Sequence, residues 1–158
     1  MARKIIVLAG LAFLIGCSNE SVEQQNPNYR ESRHPNGLIV RSSPSTTAEQ
    51  TPNGYIVRDS PSMKTRYPME VTIQRLTTAS IHEPKLANTK KIVNRSVSYQ
   101  IDKVGAGSGG TEYRLRVLLV IAGSSILFEQ QAQSEPPSEP NFDFCWELVK
   151  TTDSIHVK

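Results

Sequence analysis

The chain reads as all-β: a small antiparallel sandwich or curled sheet of five or six strands, preceded by a polar, unstructured tether. Three observations lead there. From Tyr67 onward apolar and polar residues alternate with a period of two, the pattern of strands with one buried face. Glycine- and proline-bearing turns separate these runs. No window carries a convincing apolar stripe of period 3.6, so the layers are expected to be sheets.

Taken in order, Met69–Leu76 places Met69, Val71 and Ile73 on one side and Glu70, Thr72 and Gln74 on the other. The polar interval 77–91, with Pro84, reads as loop. A long strand is expected over Ile92–Lys103, with Val93, Val97, Tyr99 and Ile101 on one face and Arg95 as a misfit. The glycine-rich connection Gly105–Gly110 leads into Thr111–Ala122. There Tyr113, Leu115, Val117, Leu119 and Ile121 alternate with Glu112, Arg114 and Arg116, and beyond Arg116 both faces turn apolar, as in a central strand. A tight hairpin at Ala122-Gly123-Ser124 returns the chain through Ile126 and Phe128, facing inward. Pro136, Pro137 and Pro140 exclude regular structure over 133–141. A strand is then expected over Phe142–Val149, with Phe142, Phe144, Trp146 and Leu148 on the core side and Cys145 and Asp143 opposite. A last short strand is expected over Ser154–Val157.

Before Tyr67 the chain is polar and broken by Asn26-Pro27, Pro35-Asn36-Gly37, Ser43-Pro44, Pro52-Asn53-Gly54 and Ser60-Pro61. Few apolar residues are available to offset the entropy of ordering it, so residues 17–66 are read as the tether and 67–158 as the β domain. The tether holds a repeat: 35–45 recurs seventeen residues later as 52–62, with nine of eleven positions identical. Each copy reads as turn, short β run and turn, able to pair as small strands or to bind the edge of a partner. Arg41, Tyr55 and Arg58 within it are candidate partner contacts. Ile39–Ser45 resembles the short signature of bacterial SH3-like domains, but seventeen residues cannot hold a five-stranded barrel.

At the N-terminus, Arg3 and Lys4 precede about eleven apolar or small residues, the length of a signal-peptide core and well short of the roughly 20 needed to span a bilayer. The run closes on Leu14-Ile15-Gly16-Cys17, which resembles the lipobox of bacterial lipoproteins at all four positions. The resemblance implies cleavage after residue 16 and lipid attachment at Cys17, whose acyl chains make an effectively permanent anchor. It also implies a periplasm-facing protein. With Ser18 rather than Asp after the cysteine, the family's sorting rule points to the outer membrane more than to the inner.

Removing Arg3 and Lys4 takes the formal net charge from +3 to +1, which leaves no basic field for nucleic acid. Of the two cysteines, Cys17 is committed to lipid, so no intramolecular disulfide is expected. His34, His82 and His156 are scattered away from other ligand-type residues, and neither a metal site nor a cofactor is expected. Cys145 with His156 would be the only nucleophile pair to consider, for an envelope hydrolase, and is disfavoured. Glu135 and Glu139, with Asp143 and Glu147, form an acidic patch suited to a basic protein partner. The expected function is therefore not catalytic. It is a lipid-anchored binding or inhibitor protein of the envelope, of the immunity, wall-enzyme-inhibitor or entry-exclusion kind. The alternative is a structural subunit of an envelope, secretion or conjugation complex, docking through the tether repeat.

Overall fold

The computed structural model describes residues 28–59, 69–77, 84–107, 110–134 and 139–155. The leader, Cys17, His82, Glu135 and His156 lie outside them. Among the described residues, ten strands form two antiparallel sheets. β1 (Arg30–Arg33), β2 (Leu38–Ser42) and β10 (Asp153–Ser154) make a three-stranded sheet with β2 in the middle. β3 (Thr46–Thr51), β4 (Gly54–Asp59), β5 (Glu70–Arg75), β6 (Asn88–Ile92), β7 (Arg95–Gly107), β8 (Gly110–Ile121) and β9 (Ser124–Ser134) make a seven-stranded sheet in the order β3-β4-β5-β9-β8-β7-β6. A helix, α1 (Asp143–Thr151), packs against β2 and β9.

The core follows from the register. Cross-strand partners align Tyr55, Ile73, Phe128, Val117 and Tyr99 in one row across β4, β5, β9, β8 and β7. The next row is Val57, Val71, Gln130 and Leu115. Apart from Gln130, these side chains meet Leu38 and Val40 of β2 and Cys145, Leu148 and Val149 of α1 in one buried cluster, with Tyr99 packed at its margin. The β8–β9 hairpin turns at Ala122 and Gly123, both at positive φ (48° and 73°), the backbone a tight two-residue turn requires.

Three expectations are corrected. First, residues 30–59, read as tether, fold into β1 to β4. The repeat supplies Leu38, Val40, Tyr55 and Val57 to the core, so its few apolar residues are enough once two sheets share them. The copies do not pair as strands, since β2 and β4 lie in different sheets. They touch through their first turns, where Asn36 Nδ2 donates to the Asn53 carbonyl at 3.0 Å, and just ahead of them His34 Nε2 donates to the Thr51 carbonyl at 2.9 Å. Second, β6 (Asn88–Ile92) occupies the end of the interval 77–91 read as loop, and the strand expected over 92–103 begins only at Arg95, after a turn at Val93-Asn94. Val93 sits at φ 55° although it is β-branched, so the residue type gives no sign of the turn. Arg95 no longer breaks an alternation, because it starts the new strand.

Third, the strand expected over Phe142–Val149 is α1. Eight residues fit either period. Burial follows the helical one, since Cys145, Leu148 and Val149 are buried while Phe144 and Trp146 pack at the margin of the core. Two residues of the large sheet hold the helix ends. Buried Gln130 accepts from the Cys145 N–H at 3.1 Å, satisfying one of the unpaired amides of the first turn. Arg95 reaches the last turn and donates to the carbonyls of Val149 and Thr152, which places a cation at the negative end of the helix. The final strand is β10, shorter than expected and starting one residue earlier.

Cys145 is therefore a core thiol, not a surface or second-layer one, and burial pushes its pKa from 9.0 up to about 12. The native protein should resist iodoacetamide at pH 8 and become labelled in denaturant; rapid native labelling would contradict the burial. Because the folded thiol keeps its proton where the unfolded one loses it, stability should fall as pH rises from about 9 towards 12.

Candidate protein-binding face

Strand alternation that fills the core also presents a polar face on the other side of the large sheet. One row runs Thr72, Glu129, Arg116 and Gln100 across β5, β9, β8 and β7, and the next carries Gln131, Arg114 and Asp102. Glu70 begins β5 on the same face. Most of these groups are tied to each other. Arg58 bridges Glu49 at 2.6 Å and Glu70 at 2.7 Å. Arg116 pairs with Asp102 at 2.8 Å, and Gln100 donates to the same carboxylate at 2.6 Å. With its amide turned to suit its neighbours, Gln131 donates to Glu112 and accepts from Arg114.

The Gln100 hydrogen bond, then Arg116, hold the Asp102 carboxyl below its ordinary pKa of 3.8. The ionised form is thus favoured in the folded state, and its contribution to stability is present above that value and lost as pH falls below it.

A cavity of about 530 Å³ opens on this face, lined by Glu70, Thr72, Arg114, Glu129, Gln130 and Gln131. A second, of about 230 Å³, lies where the first repeat copy meets α1, between Arg41, Ser43 and Asp59 on one side and Phe144 and Leu148 on the other. Among the described residues no group of three His, Cys, Asp or Glu is placed to hold a metal ion.

The candidate contacts named from the sequence do not form one site. Tyr55 is 4% exposed and stacks edge-on against His34 at 5.5 Å, and burial raises its pKa. Its ring belongs to the core, which corrects its reading as a surface contact. Arg41 lines the smaller cavity and pairs with Glu31 at 2.8 Å, whereas Arg58 belongs to the polar face through Glu70. Glu139 is exposed just ahead of α1, and Glu135 lies outside the described residues. The Cys145–His156 pair has no support from the thiol, which is sealed in the core. The residues lining the larger cavity read from the sequence as the solvent side of each strand. The signal for them is that the outward positions of three strands carry charge, Glu70 on β5, Arg114 and Arg116 on β8 and Glu129 on β9, which the antiparallel order brings together.

Residues 39–153 match the family described as the type six secretion immunity 3 domain, a span that runs from β2 to β10. Immune protein Tsi3 of Pseudomonas aeruginosa is 29% identical over 150 residues, covering 95% of this chain and 97% of its own. A crystal structure of a protein from Bacteroides thetaiotaomicron VPI-5482 aligns with a TM-score of 0.54 at 9% identity over 82% of this chain. This chain spans about half (49%) of that structure, and the likeness shows the fold alone. The chain belongs to the type six secretion immunity 3 domain family.

Proposed function

We propose that this chain is a lipid-anchored immunity protein of the bacterial envelope, held at Cys17 and facing the periplasm, most simply on the outer membrane. There it binds a toxin delivered by a type six secretion apparatus and blocks it without catalysis. The single observation that carries this reading is the family match, which takes in both sheets and α1 rather than one motif. The lipobox supports the anchor, since a toxin that crosses the envelope is best met by a protein already leashed there. An open polar sheet face suits a protein partner better than a small-molecule substrate. Docking of an envelope complex through an unfolded repeat has no counterpart in a repeat built into the core.

The test is competition between sister cells. A strain lacking this protein should be killed by a parent with a working secretion apparatus and spared by one without. The wild-type chain should restore survival, and Cys17→Ala should lose both palmitate labelling and most of the protection. Full survival of the deletion strain would reject the immunity reading. Full protection by Cys17→Ala would reject the anchor alone.

A further inference from the structure

We propose that the cavity on the outer face of the large sheet is a socket for one long cationic side chain, arginine or lysine, presented by the toxin, with Glu129 as its counter-ion. The inference rests on the immunity reading and deepens it. Glu129 is half-buried in the middle strand of the seven, with Thr72 opposite it on β5 and Arg116 opposite it on β8. Its carboxylate accepts no hydrogen bond and forms no ion pair among the described residues. Arg116, the cation one strand away, is drawn instead to Asp102, and its Nε is buried without a partner. Arg114 is engaged by Gln131.

A half-buried carboxylate with no partner among the described residues is available to an entering cation through a charge-assisted hydrogen bond. The local charge favours that sign. On this face the four carboxylates Glu70, Glu129, Glu112 and Asp102 stand among the three guanidiniums of Arg58, which is paired to Glu70, Arg114 and Arg116, a net of −1. The volume, about 530 Å³, admits an extended arginine or lysine side chain together with bridging water. Charge complementarity of this kind sets the orientation of docking as well as its strength.

Two measurements on the mature chain in mild detergent test the socket. In the first, N-acetyl-arginine amide and the corresponding lysine amide are titrated into 15N-labelled protein. At least one should move the backbone resonances of Thr72, Glu129 and Gln131 saturably, whereas the neutral citrulline analogue should not. Glu129→Gln, which keeps the shape, should abolish the effect with the rest of the spectrum unchanged. Equal shifts with citrulline, no shifts with either cation, or an unchanged response in Glu129→Gln would overturn the socket. In the second, Glu129→Gln should weaken toxin binding at least about tenfold. Normal toxin binding by Glu129→Gln overturns the socket and leaves the immunity reading standing, whereas no toxin binding by the wild-type chain overturns both.

Discussion

Gly54→Ala is expected to leave little folded protein. A Cβ at this position would stand 2.0 Å from the Ile73 carbonyl oxygen, with the Ile73 carbonyl carbon at 3.0 Å and Gln74 Cα at 3.1 Å. All three atoms are backbone, so no side chain can swing aside. Moving β5 instead would break the pairing of Gly54 with Gln74 and of Tyr55 with Ile73, which aligns the core row through Phe128. The expected loss is about 3 kcal/mol or more, read as a lower denaturant midpoint or as loss of soluble protein. Gly37, the equivalent glycine of the first repeat copy, is required for another reason, its φ of 89°. Gly37→Ala should cost only about 1 kcal/mol. Similar costs at the two positions would contradict this explanation.

Phe128→Ala should be nearly as damaging. Phe128 is fully buried on β9, between Ile73 and Val117 in the row of cross-strand partners. Truncation removes its contacts with both neighbours and leaves a cavity that the sheet, held by hydrogen bonds on both edges of β9, cannot collapse to fill. The expected destabilisation is about 3–5 kcal/mol, a large part of the roughly 5–15 kcal/mol available to a domain. The adjacent Leu127 lies on the outer face and is only half-buried, so Leu127→Ala should cost about 1 kcal/mol or less. Calorimetric melting of the two variants checks the alternation directly: equal shifts would mean that the inner and outer faces are wrongly assigned.

The strands of the second half were legible because one buried face imprints a period of two. Val71 with Ile73, Leu115 with Val117 and Leu119, and Ile126 with Phe128 all lie where alternation puts them. What was hidden has physical reasons. β2 and β4 are short and flanked by turn residues, so by composition they resemble linker; their burial depends on partners far along the chain, β10 and α1 for β2 and β5 for β4. α1 is too short for its periodicity to exclude a strand, and the residues that hold its ends, Gln130 and Arg95, lie on β9 and β7. Glu129 reads as one more solvated residue until the register sets it beside Thr72 and Arg116. The candidate face was thus present in the sequence as separate charges and became a face only through strand order.

The proposed role is to hold a partner rather than to turn one over. The buried thiol is closed off, the polar face is open, and the turn holding His34 and Asn36, where the first repeat copy begins, joins the two sheets. Binding, and not catalysis, is the claim on which the functional account rests. Titrating the purified mature chain into its cognate toxin by calorimetry, while following toxin activity in the same samples, tests it most directly. The account predicts saturable binding at a fixed molar ratio, with toxin activity falling in proportion to the complex formed. Loss of toxin activity at a small fraction of that ratio, or no heat of binding beside an unaffected toxin, would contradict it.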